Sequence, residues 1–150
     1  MPTTRPSTRL LLVEPDRLRL LTLRRSVRTI AHTYGCTSFR LAERRLRAIV
    51  PELLVTNVRL GPYNGIQLVH LAEPPTRSIV YMADPIDPFL LGEAQSLGAF
   101  VETLPRLPSA LKSYVGATLP ARDRRDLLRI DRRALPRGGR RAADSTTMVA

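Results

Sequence analysis

The sequence is poor in the residues on which most site chemistry is built. Its 150 residues include one lysine, Lys112, one cysteine, Cys36, and two histidines, His32 and His70. A single cysteine excludes an internal disulfide and a zinc site made of thiolates. No HExxH pair occurs, no Ser/His/Asp order stands out, and no glycine-rich phosphate cradle of the GxGxxG or P-loop kind is present. Neither an enzyme of those classes nor a metal or cofactor is expected on these grounds. Long apolar runs are lacking too. Leu10 to Val13 is strand-sized, well short of the roughly 18–20 residues of a membrane span. The first residues lack the apolar segment of a secretory signal. The expectation is a cytoplasmic protein with no membrane partner.

What the chain has is arginine. Its 24 Lys and Arg stand against 13 Asp and Glu, a net charge of +11. An arginine-for-lysine bias in a chain rich in Ala, Leu and Pro also follows from GC-rich coding, so net charge alone argues weakly for nucleic acid. The excess is uneven. Residues 1–115 hold fifteen cations and nine acids (+6), and residues 116–150 hold nine and four (+5). Apolar residues at 43% and charged residues at 25% are ordinary globular values, so enough apolar surface exists to fold.

Patterning along the chain is regular. Residues 1–8, polar and with two prolines, read as a flexible leader. Leu10 to Val13 reads as a strand buried on both faces. Asp16 can cap a helix carrying Leu18, Leu20, Leu21, Leu23 and Val27. Ala31 to Cys36 is a second strand, and Leu41 to Val50 a second helix stopped by Pro51. Leu53 to Asn57 is a third buried strand, followed by a turn-rich loop from Arg59 to Gly65 and a short helix from Ile66 to Leu71. Ser78 to Met82 is a fourth strand, Phe89 to Leu97 a fourth helix closed by Gly98, Phe100–Val101 a fifth strand, and Leu107 to Leu119 a fifth helix. Five strands alternating with five helices predict an α/β fold: a flavodoxin-like, doubly wound five-stranded parallel sheet in the order 2-1-3-4-5. The predicted domain spans 9–119. Residues 120–150 form a basic tail, with a possible short helix over 122–135 and disorder beyond.

In such sheets chemistry sits at the carboxyl ends of the strands, and there the sequence resembles a family. Leu53 to Leu68, LLVTNVRLGPYNGIQL, is similar to the third strand and following loop of bacterial response-regulator receiver domains. Gly65 stands eight residues after Asn57, the spacing of that family. Leu10 to Asp16, LLLVEPD, resembles its first strand and acidic turn, and Gly98-Ala99 the small pair before its fifth strand. The resemblance covers about residues 8–118.

The resemblance implies phosphoryl transfer to an aspartate assisted by Mg²⁺, and the residues for that chemistry are replaced. The phosphoacceptor falls at Asn57, whose amide cannot form an acyl phosphate. The metal-binding acidic pair falls at Glu14 and Pro15, of which only Glu14 offers an oxygen, with Asp16 one residue further on. The switch hydroxyl falls at Ala83. The switch aromatic falls near Phe100, and the lysine at Thr103 or Leu104. The pattern is that of a degenerate pseudo-receiver. Asn57 in place of a carboxylate also removes a like-charge clash with Glu14.

The resulting expectation is a stand-alone signalling module of the two-component kind that binds a protein partner, or itself, independently of phosphorylation. The interface implied by the resemblance is the face of helix 4, strand 5 and helix 5: Phe89, Leu90, Phe100, Leu107, Leu111 and Tyr114. The alternative expectation is nucleic-acid binding through the tail arginines Arg122, Arg124, Arg125, Arg129, Arg132 and Arg133, with the domain as a dimerisation platform. The tail lacks the two-helix turn of a helix-turn-helix.

Overall fold

A computed structural model describes residues 8–125. Five parallel strands form one sheet: β1 (Arg9–Val13), β2 (His32–Cys36), β3 (Leu53–Asn57), β4 (Arg77–Met82) and β5 (Phe100–Thr103), in the order β2-β1-β3-β4-β5. The helices are α1 (Arg17–Val27), α2 (Phe39–Ile49), α3 (Ile66–Leu71), α4 (Pro88–Ser96) and α5 (Leu107–Gly116), the last preceded by a 3₁₀ turn at Leu104–Arg106. The predicted sheet order and helix count hold.

Local chemistry sets these boundaries. Asp16 and Ser38 cap α1 and α2 by accepting the backbone N–H groups of Arg19 and Leu41. Asp87 caps α4, with Pro88 in its first turn. Gly98 closes α4 at φ 95°, where a side chain would be strained. β1 and β3 are buried on both faces because they lie mid-sheet under helices. Leu10, Leu12, Val55, Ile79 and Tyr81 face α1 and α5. Leu11, Val13 and Leu54 pack on the α2 side with Phe39, Ala42 and Leu46.

Several expectations change at the edges. The N-terminal leader shortens, since the Thr8 carbonyl accepts the His32 N–H and extends the β1–β2 ladder. The loop from Arg59 to Gly65 contains a small antiparallel ladder that pairs Arg59–Leu60 with Tyr63–Asn64. The fifth strand reaches Thr103, and α5 stops at Gly116 rather than Leu119. The domain does not end at residue 119: Leu119 packs against the core and Asp123 is buried. Residues 122–125 of the proposed tail helix are bends and coil, held against β5 by side-chain hydrogen bonds. The remainder of that helix and the disorder assigned beyond it lie outside the described residues. No helix among the described residues is long and apolar enough to cross a membrane.

Candidate functional site

The carboxyl ends of β1, β3 and β4 bring Glu14, Asn57 and Tyr81 together. Glu14 is fully buried, as is Tyr81, and Asn57 is 5% exposed. A buried carboxylate is tolerable only when its lone pairs are taken by donors. Here they are. Asn57 Nδ2 donates to Glu14 Oε2 at 3.1 Å, and Tyr81 Oη donates to the same oxygen at 2.6 Å. Glu14 Oε1 accepts the Asp16 N–H at 3.1 Å and faces the Arg19 guanidinium at 3.5 Å. Burial, and then the neighbouring Glu14 charge, push the Tyr81 hydroxyl well above its ordinary pKa, so it stays a donor.

The other groups that a cation would need are also engaged by backbone N–H groups. Asn57 Oδ1 accepts the Arg59 N–H at 2.9 Å, and Asp16 Oδ1 accepts the Arg19 N–H at 2.9 Å as the helix cap. Pro15 supplies no ligand. Mg²⁺ requires several hard oxygens with free lone pairs in near-octahedral array, and these residues do not fit it. Among the described residues no cluster of three His, Cys, Asp or Glu could hold a metal.

Ala83, at the end of β4, offers its carbonyl, not a side chain. Arg59 Nη1 donates to that carbonyl at 2.7 Å, and Arg59 Nη2 donates to the carbonyl of Pro85. A cation therefore does lie across the strand ends, contributed by the loop after β3 rather than from Thr103 or Leu104, both only partly buried. Gly65 has a steric cause: a Cβ there would fall 2.1 Å from the Asn57 carbonyl oxygen. Its spacing from Asn57 reflects this close backbone approach.

The expected partner face is largely core. Phe100 is 5% exposed, while Leu107 and Leu111 are fully buried against the sheet. The helical spacing of Leu107 and Leu111 matches a core stripe as well as an interface, and burial decides between them. Phe89 is 78% exposed on α4 and Leu90 is half-buried beside it. Tyr114 is half-buried, with its Oη donating to Glu102 at 2.7 Å.

Of the tail arginines, Arg122 and Arg124 are exposed. Arg125 is engaged internally. Its guanidinium pairs with Asp123 at 2.8 Å and Glu102 at 2.9 Å, and donates to the Val101 carbonyl at 2.7 Å. The Asp123 carboxylate accepts the Val101 N–H at 3.4 Å. Burial alone would raise the Asp123 carboxyl, but hydrogen bonds from Arg125 outweigh it and leave it below the usual value. Arg129, Arg132 and Arg133 lie outside the described residues.

Sequence reasoning missed Tyr81, Arg19, Arg59 and the Asp123–Arg125 pair. Tyr81 carried a signal: a tyrosine inside the otherwise apolar run Ile79 to Met82 needs a buried partner for its hydroxyl.

No family model matches the chain, and no curated protein matches it in sequence. Solved structures do match in fold. A CheY-like response regulator receiver domain protein from Methanospirillum hungatei superposes with a TM-score of 0.67 at 15% identity, over 73% of this chain and 90% of that one. The isolated REC domain of RcsB from Salmonella enterica serovar Typhimurium, in the presence of phosphomimetic BeF3-, gives 0.62 at 17% identity over 74% and 90%. A LuxR-family two-component response regulator from Aurantimonas gives 0.62 at 18% identity over 73% and 85%. The chain thus has the flavodoxin-like fold of receiver domains.

Proposed function

We propose that the chain is a pseudo-receiver: a non-enzymatic signalling module that binds a protein partner without phosphoryl transfer, a metal or a cofactor. One observation carries this reading. Both oxygens of Glu14, the single carboxylate left of the acidic pair, are taken by Asn57, Tyr81, Arg19 and a backbone N–H. Asn57 itself is an amide and no nucleophile. The fold shared with response-regulator receivers supports a role in signalling of the two-component kind. On α4, Phe89 with Leu90 remains an exposed apolar contact for a signalling protein or a second copy.

The test is incubation of the full chain with acetyl phosphate and Mg²⁺, followed by intact mass measurement. The expected mass is unchanged. An acid-resistant, base-labile adduct of one phosphoryl group overturns the reading.

A second reading has Arg122 and Arg124, exposed at the start of the basic tail, contacting nucleic acid. One structural neighbour, the Salmonella typhimurium RcsB response regulator, is described in terms of DNA interaction. This reading requires retardation of duplex DNA that weakens steeply with salt and is lost on replacing Arg122 and Arg124 by alanine.

A further inference from the structure

The β2 edge of the sheet is open, and its surroundings are chemically selective. His32 donates its N–H to Thr8, and the Cys36 carbonyl accepts the Glu14 N–H. Positions 32, 34 and 36 therefore address β1, and the N–H and C=O groups of Thr33 and Gly35 point away from the sheet. No further strand lies beyond β2 among the described residues. Thr33 also carries the one buried side-chain oxygen without a hydrogen-bond partner among the described residues.

Charge is concentrated around this edge. From Arg17 to Val50 the chain has nine arginines and one acid, Glu43. From Pro51 to Val115 it has four cations and six acids. A coding bias toward arginine does not segregate acids in this way. On α1, Arg17, Leu21, Arg24 and Arg28 fall on one stripe and are exposed. The stem of Arg24 lies over Gly35, whose missing side chain makes room: a Cβ there would sit 3.1 Å from Arg24 Cδ. On the opposite face of the sheet, Arg45 of α2 acts on the Cys36 thiol, partly offsetting the rise that burial causes. Leu41, one turn before Arg45, is exposed.

We infer that the β2 edge docks an acidic, extended segment of a protein partner by strand addition. The inference rests on the reading of the chain as a protein-binding module. Outward N–H and C=O groups at alternate residues fit a backbone, which supplies both acceptor and donor. Arginines above and below the strand fit carboxylates on both faces of the added strand, and Leu21 and Leu41 fit apolar residues between them. A second copy of this chain fits badly, because two arginine-rimmed edges repel. A nucleic-acid backbone fits the cations only: its phosphates would face the carbonyl oxygens of Thr33 and Gly35.

The probe is a fluorescein-labelled peptide of about ten alternating glutamate and valine residues, a length matching one or two short strands. It is titrated against the full chain by anisotropy, with amide hydrogen exchange measured in parallel. Binding is expected, with new protection at Thr33 and Gly35. Replacing Arg24 and Arg28 by glutamate should weaken it about tenfold. Thr33→Pro removes one outward N–H and leaves charge and the β1 ladder intact, and should weaken it about fivefold. A peptide N-methylated at alternate amides should lose a similar factor. Equal affinity for the methylated and plain peptides, no binding at all, or tighter binding of a duplex oligonucleotide through the same arginines overturns the proposal. None of these outcomes touches the absence of a phosphoadduct, which tests the underlying reading separately.

Discussion

At β5 both outward backbone groups of Val101 are taken by side chains, the N–H by Asp123 and the carbonyl by Arg125. At β2 the outward groups of Thr33 and Gly35 have no such cover among the described residues and stand between arginines of α1 and α2. An unpaired edge is a template for association. This chain covers the middle of one edge with its own residues 123–125, whose Asp123 and Arg125 side chains take the place of a strand at Val101. It leaves the other accessible to whatever carries complementary charge. The contrast separates two means of edge control: hydrogen-bonded occupation, which excludes any partner, and electrostatic filtering, which admits some.

The largest expected effect comes from breaking the closed edge. Arg125→Ala leaves the buried carboxylates of Asp123 and Glu102 without their cation, and should cost about 2–3 kcal/mol in urea unfolding of the full chain. An unchanged midpoint would mean that the 121–125 segment adds nothing to the fold. Next is acid. The Asp123 carboxyl is held below its ordinary value of 3.8 in the folded chain. Its contribution is therefore present above about pH 4 and lost as pH falls through the lower folded value. Asp123→Asn should flatten this part of the stability profile below about pH 4 relative to the parent chain. Tyr114→Phe removes one hydrogen bond to Glu102 and should cost about 1 kcal/mol, leaving Arg125 in place. The smallest effect belongs to the open edge: Thr33→Pro should change stability by less than about 0.5 kcal/mol, since no bond among the described residues uses that N–H. Amide exchange sharpens the contrast directly. Val101 should exchange slowly and Thr33 and Gly35 fast; similar rates at the two edges would remove the distinction.

Periodicity made the sheet legible, because β1 and the first half of β3 are apolar runs, with Asp16 after the one and Pro51 before the other. The identity and spacing of Asn57, Gly65 and Ala83 were enough to locate the strand-end site. Its filling was not legible. Tyr81 reaches Glu14 across β3, a contact set by register between strands 67 residues apart, which no local pattern encodes. Phe100, Leu107 and Leu111 illustrate the reverse: their local spacing was clear, but only the packing of α5 on the sheet showed them to be core. The start of the tail, residues 122–125, misled because RDRRDLLRI has helical spacing. The buried pairing of Asp123 and Arg125 with β5 overrides that propensity within the described residues.

The knot of Glu14, Asn57 and Tyr81 bears on how such a module is controlled. A switch needs two conformations of nearly equal free energy, so that a ligand can redistribute them. Here the carboxylate is already satisfied by Asn57, Tyr81, a backbone N–H and the Arg19 guanidinium, and a strand-end cation has little to gain by entering. Under the proposed reading, control rests on how many copies are present and where they are bound, not on a change of state within each copy.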